Sequence, residues 1–206
     1  YRTKTNHILS KALPLMEIYT GESKEEFHRF LAGEAGKDGV SSNLYTALPL
    51  YTISEELFQN ILERNHIPAE KQQMLLQELR REKDNFLQTL QSGSVEDRIP
   101  ALSREEYAEM PLTLSLSEAF YEHEICCTYD EYLEHSHQTM AFAEHTPNYT
   151  VLSQHTRIFR NIQIRIKHSE WVIISKNKSP VIHFVIRHPK MRKAIEDGLW
   201  QVLNEE

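Results

Sequence analysis

The sequence predicts an α+β (or α/β) fold, with a helical N-terminal part followed by a small, largely antiparallel sheet with flanking helices. Three observations carry that expectation. Helix-capping patterns and helical apolar spacing recur through the first two thirds of the chain. Ile162, Ile164 and Ile166 then alternate strictly with Gln163, Arg165 and Lys167, the period of a strand. The charge changes sign at the same place: residues 1–149 hold 13 Lys/Arg against 25 Asp/Glu, a net −12, whereas residues 150–206 hold 10 against 5, a net +5.

Taken in order, Thr5 to Tyr19 is apolar but broken by Pro14, which predicts a short or bent helix. Ser23-Lys24-Glu25-Glu26 has the form of a capping box launching a helix through Phe27, Phe30 and Leu31 that stops near Gly33. Gly33, Gly36 and Gly39 make residues 33–42 a loop, and Leu44 to Tyr51, with Pro49 inside it, an extended segment packed on helices rather than a ladder strand. Ser54 caps a helix to about Arg64, and Pro68 opens a longer one to about Gln91, stopped by Gly93. The stripe Leu75, Leu79, Phe86, Leu87, Leu90 on the longer helix serves packing within the chain or a dimer seam. That helix exceeds twenty residues and begins with Glu70, unlike a DNA-recognition helix.

Further on, Ser103-Arg104-Glu105-Glu106 and Thr128-Tyr129-Asp130-Glu131 are capping boxes for two more helices. Leu112, Leu114 and Leu116 alternate with polar residues as in a half-buried strand. Tyr149 to Leu152 is a short strand, and residues 161–187 form a strand meander closed by a helix over 189–203 that starts at Pro189. The division expected is a helical lobe, 1–95, containing the hairpin 54–91, and an α/β lobe, 96–206, with the polar stretch Gln91 to Arg98 between them.

Composition excludes several classes. With 206 residues and 40% apolar content the chain can bury a core without staples. The two cysteines, Cys126 and Cys127, are neighbours and offer no disulfide framework, and no signal peptide is evident, which points to a cytoplasmic setting. The longest apolar run, Val181 to Ile186, is far short of a membrane span. The chain opens in mid-pattern at Tyr1, as a piece of a longer protein would.

If Ile164 faces Ile174 and Ile174 faces Ile182, the meander sorts into two faces. One, with Ile162, Ile164, Ile166, Val172, Ile174, Ile182, Phe184 and Ile186, is core. The other sets Trp171 and Ile173 among Arg165, Lys167, His183 and Arg187. Arg165, Trp171, His183 and Arg187 are the candidate ligand-binding residues: cations for an anionic group and an aromatic plane for stacking. The same face could instead receive a helix or a second subunit, or be an ordinary solvated surface.

No catalytic set emerges. GxSxG, SxxK, GxxxxGK[ST] and GxGxxG are absent, and six glycines leave little material for a nucleotide cradle, so no cofactor is expected. Lys176-Asn177-Lys178 lacks the glycines of a phosphate loop and reads as a solvated turn. Glu118, Glu122, His123, Glu124, Cys126, Cys127, His135 and His137 gather metal-ligand types, but without a CxxC pair or HExxH no metal site is assigned.

Phe159-Arg160-Asn161-Ile162-Gln163-Ile164, Trp171-Val172-Ile173-Ile174-Ser175-Lys176 and Ile182 to Pro189, with Leu48-Pro49-Leu50-Tyr51 and Glu56-Leu57, resemble the C-terminal regulatory region of uncharacterised Firmicutes-type helix-turn-helix transcription regulators. The resemblance spans about residues 44–203. It implies a ligand-sensing or oligomerisation domain, expected to form a homo-oligomer, that meets DNA only through a separate N-terminal domain; the sheet face around Arg165 and Trp171 suits a small anionic or aromatic ligand. It supplies no ligand residues. The alternatives are a small cytoplasmic hydrolase or transferase using His183, and a thiol or metal sensor using Cys126 and Cys127.

Overall fold

The computed structural model describes residues 14–114, 125–154, 161–176 and 180–204, and shows an α+β fold with one mixed seven-stranded sheet. Strands β1 (Met16–Tyr19), β2 (Gly39–Leu44), β3 (Gly93–Pro100), β4 (Tyr149–Gln154), β5 (Ile162–Lys167), β6 (Trp171–Lys176) and β7 (Ile182–Ile186) lie in the order β1-β7-β6-β5-β2-β3-β4. The pairs β2–β3 and β3–β4 are parallel and the other four are antiparallel. The helices are α1 (Lys24–Ala35), α2 (Glu55–Arg64), α3 (Ala69–Ser92), α4 (Arg104–Glu109), α5 (Tyr129–Glu144) and α6 (Pro189–Asn204).

The local signals explain most of the helices. Ser54, Ser103 and Thr128 each accept a hydrogen bond from a first-turn amide, and the last two complete capping boxes with Glu106 and Glu131. Pro68 precedes α3 and Gly93 ends it. The hairpin of α2 and α3 closes over Ile53, Leu57, Phe58, Ile61, Leu75 and Leu79.

Four expectations are corrected. The described end of the 5–19 segment is β1, because Met16 to Tyr19 finds a distant partner in β7 that local pattern could not show. Ser23 does not cap α1; its hydroxyl accepts instead from the Thr20 amide and closes a preceding 3-10 turn. Residues 39–42 of the expected loop belong to the interior strand β2. The polar stretch 91–98 is no linker but the end of α3 and most of β3, whose acids and arginine hid a strand buried between two others. The sheet therefore draws strands from both sides of residue 95.

Glycine is required where β2 and β3 begin. Gly39 and Gly93 are directly paired, and a Cβ on Gly93 would sit 1.9 Å from the Gly39 carbonyl oxygen. In the meander, Ile164 pairs with Ile174 as expected, but Ile174 pairs with Phe184 rather than Ile182. A shift of two residues preserves side-chain parity, so both faces keep their predicted membership.

The α6 face carries Leu44, Ile164, Ile166 and Val172 against Leu199 and Leu203. The opposite face is covered by α1, through Phe27 and Leu31 on Trp171, Ile173 and Val185, and by α3 and α5, through Phe86, Leu90 and Phe142 on Val95 and Tyr149. Of the readings open for the amphipathic face, docking of a helix from the same chain is the one seen. Among the described residues no helix is long and apolar enough to cross a membrane.

Candidate functional site

The centre of the helix-covered face is polar. Because β5, β2 and β3 are neighbours, Arg165 lies across from Asn43, and Asn43 across from Asp97, giving one row of cation, amide and acid over three strands. The next row runs Trp171, Lys167, Ser41, Val95, Tyr149. Alternation puts all of these side chains on the same face, where a sheet normally keeps aliphatic residues.

Asp97 is fully buried. Its Oδ1 accepts from Asn43 Nδ2 at 2.8 Å, and its Oδ2 accepts from the Tyr149 hydroxyl at 2.8 Å and from the Tyr51 hydroxyl. The Tyr45 and Tyr51 hydroxyls are 2.9 Å apart. Burial pushes the Asp97 carboxyl above the ordinary range, against the pull of the Tyr51, Asn43 and Tyr149 hydrogen bonds and the Arg165 charge. Burial likewise raises Tyr45, Tyr51 and Tyr149, reinforced by the Asp97 charge, so all three act as neutral donors.

Beside this cluster lies a cavity of about 50 Å³ between the sheet, α1 and α3. Each water needs ~10–15 Å³ of such space, so it holds roughly four. Arg165, Lys167, Ser41, Asn43 and Trp171 line it from the sheet, Glu34 from α1, and Glu82 and Asn85 from α3. Two of its charges are engaged with one another. Lys167 Nζ donates to the carbonyls of Glu34 (3.0 Å) and Lys37 (3.1 Å), closing the C-terminal end of α1, and Trp171 Nε1 donates to Glu34 Oε2 at 2.8 Å. Burial tends to raise the Glu34 carboxyl, but the hydrogen bonds from Lys37 and Trp171 and the Lys37 and Lys167 charges outweigh it and hold it below its usual value.

Arg165 is different. Its Nε is buried with no hydrogen-bond partner. Burial opposes its charge, while the Glu82 and Asp97 carboxylates sustain it, leaving the guanidinium firmly protonated. Among the described residues the Ser41 hydroxyl, on the sheet side of the cavity, and the Asn85 carboxamide, on its α3 side, also make no hydrogen bond. Buried polar groups are nearly always satisfied, and the unpartnered Arg165 Nε beside two unbonded polar side chains marks a place for a polar guest.

The four sequence candidates separate. Arg165 and Trp171 line the cavity. His183 is 3% exposed, stacked on Phe27 with centroids 3.9 Å apart, and its Nδ1 is 2.8 Å from Ser175 Oγ. Arg187 pairs with Glu17 at the β1 edge and lies over the Phe30 ring. Neither His183 nor Arg187 lines the cavity. Sequence reasoning missed Asn43, Tyr51, Glu82, Asn85 and Asp97. The one available signal was Val95-x-Asp97-x-Ile99, an acid in register with two apolar residues.

Two other clusters are weaker. Ser42 Oγ is 2.9 Å from His168 Nε2, and His168 Nδ1 is 3.7 Å from Glu196 Oε2, the order of a hydrolytic triad. Ser42, however, is only 7% exposed in mid-strand, which leaves its hydroxyl little room to meet a substrate carbonyl. Cys126 is exposed, while burial and the Glu131 charge push the Cys127 thiol up to about 12. Burial lowers His135 to about 4, and its Nε2 donates to the Pro49 carbonyl at 2.9 Å. Among the described residues no group of three His, Cys, Asp or Glu could hold a metal; Glu118, Glu122, His123 and Glu124 lie outside them. Comparison with protein-family models, curated proteins and solved structures finds no match to this chain.

Proposed function

We propose that this chain is the ligand-sensing domain of a bacterial transcription regulator, receiving a small ligand with an anionic group on Arg165. The observation that carries the sensing role is the part-buried Arg165 side chain lining a polar cavity, with its Nε buried and unpaired. A guanidinium presents a planar fork matched to a carboxylate, and desolvation inside the sheet–helix layer strengthens that match. The regulator role rests on the resemblance of the meander and its flanks. A ligand here touches α1, α3 and the sheet at once, so filling the cavity biases the position of the two helices, which is the differential contact a switch needs.

The test is thermal denaturation of the protein with acetate, glycine and inorganic phosphate, against chloride at equal ionic strength, for the wild type and Arg165→Met. A rise in Tm of several degrees for the wild type alone supports the reading. No shift with any of them overturns the sensing role, and a parent reading frame without a helix-turn-helix pattern overturns the regulator.

A further inference from the structure

The cavity beside Arg165 restricts its ligand by size and by charge. Space for roughly four waters takes about four to six heavy atoms, because bonded atoms sit closer together than waters do. An aromatic acid exceeds that. The rings of Trp171 and Phe86 therefore wall the space, and no room is left to stack a guest on them.

Charge narrows the choice further. Lys167 and Glu34 are engaged with the end of α1 and with Trp171, and Glu82 already has a partner. Among the described residues Arg165 makes no hydrogen bond or ion pair, so it is the charged group left to meet a guest, and it calls for an anion. The Glu82 and Asp97 charges act on Arg165 and repel whatever anion it holds, and a dianion suffers that repulsion twice over. A monoanion is the better match.

Strand register supplies a second contact. Asn43 pairs with Arg165 and Ser41 with Lys167, so Ser41 stands diagonally across from Arg165 on the same face of the sheet. Diagonal neighbours lie roughly 7–8 Å apart, and both side chains line the same small cavity, so one small anion reaches the guanidinium and the unbonded Ser41 hydroxyl together. Leu31, Ala35 and Val95 offer carbon surface to the rest of the guest.

We infer that the cavity takes an aliphatic monocarboxylate of two or three carbons, its carboxylate held by Arg165 and the Ser41 hydroxyl and its short carbon end against the apolar lining. This rests on the sensing role proposed above and names the chemical class of its ligand. Arg165 sets the sign of the charge, the neighbouring carboxylates limit it to one, and the small volume rejects longer and aromatic acids.

Isothermal titration of the wild-type protein with acetate, propionate, benzoate, succinate and inorganic phosphate, at equal ionic strength, tests it without depending on any variant. Acetate or propionate is expected to bind saturably, and benzoate, succinate and phosphate at least about tenfold more weakly. Ser41→Ala is expected to weaken the short acid by about threefold to tenfold, and Arg165→Met to abolish its binding. Benzoate, succinate or phosphate binding as tightly as the short acids, and lost in Arg165→Met, overturns the short monocarboxylate while leaving an anion-sensing domain. Acetate or propionate binding that Arg165→Met leaves unchanged lies elsewhere and overturns the site. Absence of binding by all five compounds overturns both readings.

Discussion

Asn43 and Asp97 stand directly opposite each other on parallel neighbours β2 and β3, and the Asn43 amide donates to the Asp97 carboxylate at 2.8 Å. With Arg165 across from Asn43 on the other side, β2 carries a polar bridge between an acid and a cation that the strand spacing holds apart. The arrangement keeps Arg165 from collapsing onto Asp97. It leaves the guanidinium available to the cavity.

The hydrogen bonds to Asp97 predict the cost of losing a donor. Tyr149→Phe removes one bond to a buried carboxyl and nothing else of size. It should lower stability by about 1.5–3 kcal/mol, and Tyr51→Phe, which also loses contact with Tyr45, by at least as much. Urea denaturation of the two variants checks this, and an effect under about 0.5 kcal/mol in both would contradict the cluster.

The raised Asp97 carboxyl predicts a sign for pH. A group that holds its proton more tightly when folded favours folding fully below its unfolded pKa, about 3.9, and loses that contribution as pH rises through the folded value. Asp97→Asn has no such term. The stability difference between wild type and Asp97→Asn should therefore shrink from pH 4 toward neutrality. A difference that widens with pH would place the folded carboxyl below its ordinary range.

How much of this was legible beforehand depended on which residues carry their partners close by in sequence. Ser103 with Glu106 and Thr128 with Glu131 signal helices within four residues, and the isoleucines of β5 signal a strand by themselves. β1, β2 and β3 take their identity from pairings more than fifty residues away or from burial that their polar side chains disguise. Strand parity alone places Arg165 and Trp171 on the helix-covered face, and parity is unchanged by a two-residue shift in register. Glu82 and Asn85 could not be found that way, since nothing in α3 marks which turn lies over β5.

Lys167 predicts a local effect. Its ammonium satisfies two carbonyls at the end of α1, so Lys167→Met should cost about 1–2 kcal/mol and loosen that helix end selectively. Hydrogen exchange should rise at residues 34–38 and stay unchanged in α6, on the opposite face. Uniform loss of protection would mean a global role instead.

The Gly39–Gly93 contact predicts an intolerant site. Gly93→Ala places a carbon 1.9 Å from a backbone oxygen that cannot move without breaking the first β2–β3 rung. A loss of about 3 kcal/mol or more is expected, whereas Gly198→Ala on α6, where nothing lies within 4 Å, should be neutral or gain up to about 1 kcal/mol. Paired denaturation curves decide it.

His135 offers the second pH signature, of opposite sign to Asp97. Burial holds it near 4, and its Nε2 must carry the proton in the neutral ring because the Pro49 carbonyl can only accept. The folded state thus binds the second proton less readily than the unfolded chain, whose histidine titrates near 6.5. The contribution is fully present above about 6.5 and is lost as pH falls toward 4, on the order of 2–3 kcal/mol across that window. His135→Gln, which keeps a donor to Pro49, should flatten this loss. Following the ring protons of His135 by NMR should find it neutral at pH 5, and a midpoint above 6 would remove the burial argument on which the sign depends.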